Sequence, residues 1–102
     1  MAQSLQVLYA TDNDTTFDHD YYLATHMPLV GKHMGAHIQS TNICKGLAGG
    51  PDTPAGYHVI ATMTFENQGA MDAALGAAGP VLEDIANFYN GAPQMLIGEV
   101  LA

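Results

Sequence analysis

The sequence contains very little positive charge. Two lysines and no arginine stand against ten aspartates and glutamates, which gives a formal net charge of −8 over 102 residues. Binding of nucleic acid requires lysine and arginine to neutralise phosphates, so we expect no nucleic-acid partner. Anionic membrane surfaces and phosphorylated substrates are disfavoured for the same reason.

Cysteines and long apolar runs are also scarce. Cys44 is the only cysteine, so no disulfide within the chain is expected, and we predict a free buried thiol. No apolar run reaches the roughly 18 residues of a membrane span. The first ten residues lack the basic start and the apolar stretch of a signal peptide. These features predict a soluble cytoplasmic protein that does not act at a membrane.

Apolar residues, in contrast, are abundant. They make up 48% of the chain, and only 12% of residues are charged, about half the usual share. This composition argues against disorder, and the length predicts a single domain over residues 1–102. The surface that carries so few charges must therefore be accounted for.

Hydrophobic periodicity and turn residues predict the element order β-α-β-β-α-β. The predicted strands are residues 3–10, 37–45, 57–65 and 94–101. The predicted helices are residues 17–30 with Thr16 as N-cap, residues 68–78 with Asn67 as N-cap, and a shorter piece at 81–89. Pro28 should kink or shorten the first helix, and Gly31 and Gly35 should end it. The order favours a ferredoxin-like α+β fold, with a four-stranded antiparallel sheet and both helices on one face.

The last two predicted strands are apolar on both faces. Met63 and Ile60 point to opposite faces of one strand, as do Ile97 and Leu96 of the other. Such strands are normally covered on both sides, and two helices cover only one. We expect a second copy of the chain to cover the other face, giving a homodimer. The alternative is a monomer with a partly apolar sheet.

Four of the five histidines fall between residues 19 and 37. His19, His26 and His33 are seven residues apart, about 10.5 Å along a helix, too far to share one metal ion, so no metal site is expected. His26 shares a helix face with Tyr22, Leu29 and Val30. Apolar surroundings would lower the pKa of this histidine and keep it neutral, as a general acid/base requires. The alternative is a half-buried histidine bonded to backbone.

Other side chains are weaker candidates. Asn42 lies on the second predicted strand and His58 opens the third, so either could face a cavity. A haem held by Met27, Met34 or His33 is a more distant interpretation, because methionine in a helix usually packs in the core.

Residues 17–30 carry a recognisable pattern: a phenylalanine, a Tyr-Tyr pair and then His-x-Pro-Leu, read as FDHDYYLATHMPLV. This stretch resembles the EthD family, named for a small protein required in oxidative degradation of ethyl tert-butyl ether. Residues 84–88 and 97–100 are also similar to the family, although the family often has proline where this chain has Ala86. The resemblance extends over residues 5–100.

The resemblance implies one EthD-like domain with a ferredoxin-like fold that forms a dimeric α+β barrel. The matching residues are Phe17, Tyr21, Tyr22, His26, Pro28 and Leu29. Relatives on this barrel include cofactor-independent monooxygenases, lactone isomerases, polyketide cyclases and haem-degrading enzymes, so the fold does not fix the reaction.

Two hypotheses follow. In the first, the chain is an enzyme without a cofactor that binds a small apolar carbonyl-type molecule between sheet and helices. His26 would be the general acid/base and Tyr22 would donate to a developing oxyanion, with substrate contacts from Phe17, Tyr21, Leu29, Asn42 and His58. In the second, the chain is a non-catalytic accessory or ligand-binding dimer that assists a cytochrome P450 system in the oxidative catabolism of ethers or other xenobiotics.

Overall fold

A computed structural model of the chain describes residues 2–12 and 14–102. Its sheet has four antiparallel strands in the order β2-β3-β1-β4: β1 (Gln3–Ala10), β2 (Ser40–Lys45), β3 (Tyr57–Phe65) and β4 (Gln94–Glu99). The helices are α1 (His19–Tyr21), α2 (Met27–Met34), α3 (Gln68–Gly76) and α4 (Gly79–Asp84). A π-helical turn (Tyr22–His26) joins α1 to α2, and 3₁₀ turns follow α2 (Gly35–His37) and α4 (Ile85–Asn87). This topology confirms the predicted ferredoxin-like fold.

The strand register decides which side chains face the helices. Val7 lies opposite Ala61 on one neighbouring strand and Met95 on the other, so these three residues share the face that the helices cover. The apolar side chains of β1 and β3 on this face are buried together with the inner faces of the helices. This layer between sheet and helices is the core, and the candidate site lies within it.

The opposite, outer face of the sheet is uncovered in the single chain. Gln6 lies opposite Thr62 and Leu96, and Leu8 lies opposite Ile60, which places all five on this face. The paired residues of this face carry no charge: Ser4, Gln6, Leu8, Ser40, Asn42, Cys44, Ile60, Thr62, Thr64, Gln94, Leu96 and Gly98.

The first helix differs from its prediction at both ends. Asp18, not Thr16, is its N-cap, because the Asp18 carboxylate accepts a hydrogen bond from the Tyr21 backbone N–H at 3.0 Å. The Thr16 backbone N–H instead donates to the Asn90 side chain at 2.8 Å. At the other end the helix runs through Gly31 to Met34, because Gly31 keeps helical backbone geometry.

Other boundaries shift by a few residues. The second strand begins at Ser40 rather than at residue 37, because residues 35–37 form a 3₁₀ turn in which the Ile38 N–H donates to the Gly35 carbonyl. The second long helix ends at Gly76, two residues early, and the last strand ends at Glu99 rather than at residue 101.

In the single chain, the prediction of a buried thiol is wrong. Cys44 is exposed, because it lies opposite Ile60 on the outer face of an edge strand. Among the described residues, no helix has both the length and the apolar character needed to cross a membrane.

Candidate active site

An apolar cavity of about 70 Å³ lies between the sheet and the helices. Its walls come from β1, β2, β3 and β4 on one side and from the π turn, α2, α3 and α4 on the other. His26 is the sole titratable side chain of the lining apart from the phenols of Tyr9 and Tyr22. A bound molecule would therefore meet hydrocarbon almost everywhere and a few polar groups.

His26 is paired with the carboxylate of Asp84, a residue that does not line the cavity. Its Nδ1 lies 3.0 Å from Oδ2 of Asp84, and the histidine is only 3% exposed. The pair joins the end of the π turn to the last residue of α4, which are 58 positions apart in sequence. Asp84 thus supplies the hydrogen-bond partner without which burying the polar His26 side chain would be unfavourable.

Asp84 accepts further hydrogen bonds that fix its carboxylate. The Tyr21 hydroxyl donates to Oδ1 at 2.7 Å, and the Asn87 amide donates to the same oxygen at 3.0 Å. Burial alone would raise the pKa of Asp84, but the hydrogen bonds from Tyr21, Asn87 and His26 outweigh it and hold this pKa below its ordinary value. The carboxylate is therefore ionised near neutral pH.

An ionised Asp84 decides the tautomer of His26. A carboxylate only accepts, so Nδ1 of His26 carries the proton and donates to it. In the neutral imidazole, Nε2 then carries a lone pair, and it has no protein partner among the described residues. His26 lines the cavity, and Nε2 is the ring nitrogen that the Asp84 bond leaves available to a ligand.

Burial also sets the charge of His26. Removal from water lowers the pKa of this histidine, and the hydrogen bond and negative charge of Asp84 offset that effect only partly. Its neutral form is thus favoured near pH 7, the direction that its apolar helix face predicts. A neutral imidazole in an apolar pocket can accept a proton from a bound molecule.

The π-helical turn brings Tyr22 and His26 together at the cavity wall. The Met27 N–H donates to the Tyr22 carbonyl, five residues back, and Pro28 supplies no N–H to the next position. Within this wide turn the two rings stack at 5.3 Å with an interplanar angle of 20°. Phe88 packs edge-on against the His26 ring at 4.5 Å, so two aromatic rings hold the imidazole in place.

Tyr22 contributes a phenol that the protein leaves free. The residue is 2% exposed and lines the cavity, and its hydroxyl has no hydrogen-bond partner within the described residues. Burial raises the pKa of Tyr22, so it remains a protonated donor. A hydroxyl donor one helical turn from a neutral imidazole is the arrangement that the spacing predicts.

The remaining sequence candidates lie outside the cavity lining. Phe17 packs on Tyr9, Tyr22 and Phe88 at centroid distances of 5.1, 5.1 and 5.2 Å, and Leu29 is half-buried against the core. Tyr21 reaches the site only through Asp84.

Asn42 and His58 are placed elsewhere. Asn42 is exposed on the outer face opposite Thr62, and the His58 ring bonds to the Thr15 hydroxyl at 3.0 Å and stacks on Phe17. Contact between a substrate and these five residues stays a prediction.

Sequence reasoning missed Asp84 as the partner of His26. The signal available was its position at the start of residues 84–88, the second stretch that resembles the family. Spacing gives no reason to pair residues on different helices. Among residues 2–12 and 14–102, no three His, Cys, Asp or Glu side chains are grouped to hold one metal ion.

Comparison with known proteins matches the sequence to a family. The family model of the EthD domain matches residues 11–92 of the sequence, which include both His26 and Asp84. The chain belongs to the EthD family. No curated protein matches its sequence.

Solved structures of EthD-like proteins share the fold over the whole chain. An EthD-like protein from Ralstonia eutropha is 30% identical, with a TM-score of 0.88 over 99% of this chain and 93% of its own. An ethyl tert-butyl ether (EthD) family protein from Bacillus halodurans is 20% identical, with a TM-score of 0.77 over 99% of this chain and 100% of its own.

A more distant structure has the same fold. It is a dimeric ferredoxin-like protein of unknown function from Thermobifida fusca, 11% identical, with a TM-score of 0.69 over 98% of this chain and 92% of its own.

Proposed function

We propose that this EthD-family protein binds a small apolar carbonyl-type molecule in the cavity and uses His26 as its general acid/base without a cofactor. One observation carries the proposal: a buried histidine whose Nδ1 is held by a carboxylate lines an apolar cavity with its other nitrogen unpartnered. This is the geometry in which a neutral imidazole is oriented as a base.

The proposed step is abstraction of a proton from the carbon next to the carbonyl. The proton moves to Nε2 of His26, and the electron pair of the C–H bond moves to the carbonyl oxygen as an enolate. The Tyr22 hydroxyl donates a hydrogen bond to that oxygen. Asp84 stabilises the imidazolium that forms, and the apolar walls exclude water from the charged pair.

The proton can then return to a different atom. Delivery from His26 to another carbon gives isomerisation, delivery to a leaving hydroxyl gives dehydration, and attack of the enolate on a second carbonyl gives cyclisation. Reaction of the enolate with dioxygen is the cofactor-free oxygenation in the same range. All four begin with the same proton transfer, so that transfer is what an experiment should measure.

The family supports a role in oxidative catabolism of ethers or similar small organic compounds. The Bacillus halodurans relative carries ethyl tert-butyl ether in its family name. An uncharged alkyl compound of that kind, or a carbonyl compound formed from it, suits a cavity with apolar walls and a chain with net charge −8.

A homodimer is part of the proposal. The outer face of the sheet has no charged side chain and presents Leu8, Ile60 and Leu96, of which Leu96 is 57% exposed. Covering that face with the same face of a second copy would remove it from water. The Thermobifida fusca structure with this fold is described as dimeric, which supports the assignment.

Exchange of carbon-bound protons tests the central step without knowledge of the substrate. Cyclopentanone in D₂O, followed by NMR, reports enolate formation at a carbon next to a carbonyl. The native protein should accelerate deuterium uptake, and His26→Gln should reduce that acceleration by about 10²-fold or more. Asp84→Asn should cause a smaller loss, and His37→Gln, which changes an exposed histidine outside the cavity, should cause none.

Two results would contradict the enzyme proposal. Exchange that persists in His26→Gln would remove His26 from the role of base. Binding of the ketone by the native protein without any exchange would favour the other hypothesis, an accessory or ligand-binding dimer that assists a cytochrome P450 system, with His26 in a structural role.

A further inference from the structure

The cavity is lined by an unusual number of methionines. Met27, Met34, Met63 and Met95 all line it, whereas Met71 is 3% exposed in the same core but does not. The four come from three separate elements: α2 carries two, and β3 and β4 carry one each. Their convergence is a property of the folded site, since they are scattered in sequence.

Methionine gives the cavity wall a particular mechanical character. Its side chain is unbranched, has three rotatable bonds and fills irregular space easily. Such a wall can change shape by rotation of side chains while the backbone stays in place. Leucine of similar volume is branched and stiffer, so it can replace methionine in size without replacing this property.

The size of the cavity makes that property necessary for ring-shaped ligands. Its volume is about 70 Å³. An engineered cavity of about 150 Å³ with leucine, isoleucine and phenylalanine walls takes up benzene. Entry of a six-membered ring therefore requires the walls to move apart, and the four methionines are the lining side chains best able to do so.

The position of Met95 adds an entry route. Met95 and Leu82 both line the cavity, and each is 47% exposed, so the cavity reaches the surface between β4 and α4. A flexible thioether at this opening can move aside for a ligand and then cover it. Methionine side chains thus control both the entry of a ligand and the fit of the cavity around it.

Thioether sulfur also has a chemical preference. It makes favourable contacts with the edge of aromatic rings, which saturated rings of the same size do not offer. We propose that the four methionines make this cavity an adaptable site that favours aromatic over saturated rings. The proposal rests on the cavity being the ligand site, as set out above, and adds the chemical class of ring that it selects.

Two alcohols with the same ring size and the same substituent test this preference. Benzyl alcohol and cyclohexylmethanol carry the same CH₂OH group on an aromatic and a saturated ring. Their Kd values are measured by calorimetry for the native protein and for a variant with M27L, M34L, M63L and M95L. The ratio of the Kd of cyclohexylmethanol to that of benzyl alcohol should fall by about tenfold in the variant, because several sulfur contacts are lost.

Met71→Leu is the matched control, because it makes the same change in the same core outside the cavity. It should leave the ratio of Kd values unchanged. NMR of ¹³C-methyl methionine supplies a second readout on the native protein: benzyl alcohol should shift the methyl signals of the four cavity methionines by its ring current and leave Met71 in place. Single Met→Leu variants assign the signals, and one that unfolds leaves the others usable.

The outcomes separate this inference from the proposed function. If both alcohols bind and the ratio of Kd values is the same in the native protein and the four-leucine variant, the methionine preference is wrong and the ligand site stands. If neither alcohol shifts any cavity methionine, the cavity admits no six-membered ring and this inference fails, whereas the proposed function is still decided by the exchange of cyclopentanone. The expected ratio change together with shifts confined to the four cavity methionines supports the inference.

Discussion

At the scale of single residues, the site depends on two opposing effects on the pKa of His26, burial and the bond to Asp84. Burial lowers the pKa of His26 and so favours the neutral imidazole. The hydrogen bond from Nδ1 to Asp84 fixes one tautomer, but the bond and the charge of Asp84 raise the pKa by less than burial lowers it. Tyr21 and Asn87 in turn satisfy Asp84, so the acid of the pair does not compete for a proton near pH 7. The chain thereby keeps a neutral base in an apolar pocket.

The lowered pKa of His26 predicts a pH dependence of stability. In the unfolded chain this histidine takes up a proton near its ordinary pKa of 6.5, whereas in the native protein it does so only at lower pH. Between these two values the unfolded state binds more protons, so the free energy of unfolding falls as the pH is lowered through that interval. Above pH 6.5 the full stability is present.

Urea unfolding of the native protein and of His26→Gln between pH 8 and pH 5 measures this effect. The free energy of unfolding of the native protein, relative to that of the variant, should decrease toward pH 5. His37→Gln should retain the native pH dependence. Parallel pH profiles for the native protein and His26→Gln would show that burial does not lower this pKa.

Residue-level prediction from sequence reached part of this site. The helical spacing of Tyr22 and His26, and the family pattern around them, identified the two polar groups that line the cavity. The pairing with Asp84 was not predictable from spacing, because it depends on how α4 docks beside the π turn. The position of Asn42 on the outer face was likewise decided by strand register.

At the scale of elements, the residue type of a glycine or proline does not by itself say whether a helix ends there. Gly31 continues the helix rather than ending it, whereas Gly35 is the C-cap at its end, as predicted. Among the described glycines, a positive φ is found at Gly50, in the β2–β3 loop. Pro28, predicted to kink or shorten the helix, lies directly after a π-helical turn, and the helix continues beyond it to Met34. The bounds of β1 and β3 agree with the prediction to the residue, because β1 alternates in sequence and β3 is rich in β-prone and apolar residues.

Two Gly→Ala substitutions distinguish these roles. A Cβ on Gly46 would overlap the Tyr57 carbonyl oxygen across the base of the β2–β3 loop, so Gly46→Ala should destabilise the protein by about 1–3 kcal/mol. A Cβ on Gly31 meets nothing within 4 Å, and Gly31→Ala should stabilise α2 by about 0.5–1 kcal/mol. Thermal unfolding of both variants checks the signs, and equal effects would mean that the hairpin relaxes freely around Gly46.

At the scale of the whole molecule, the uncharged surface lies on one face of the sheet. The outer face of the sheet carries none, although the chain has ten acidic residues and two lysines. Charges placed elsewhere leave this face free to meet its own copy, which is the homodimer that we propose. The low charge content of the sequence therefore predicts an interface as well as the absence of a nucleic-acid partner.

A charge introduced on that face tests the interface. Ile60→Asp lies in the middle of β3 and faces outward, so in a dimer it would bury two carboxylates against each other. Light scattering after gel filtration should give a dimer mass for the native protein and a monomer mass for this variant. Leu47→Asp is the control: it changes a loop residue that is 86% exposed and should leave the dimer intact. A monomeric native protein would refute the interface.

The most direct test of the account is the protonation state of His26 itself. In ¹⁵N-histidine NMR at neutral pH, with His26→Gln identifying the signal, the ring should be neutral with the proton on Nδ1, as the bond to Asp84 requires. The Nε2 resonance should shift when cyclopentanone occupies the cavity. A ring protonated on Nε2, or an Nε2 resonance that does not respond to the ketone, would contradict the proposal that His26 is the base of this site.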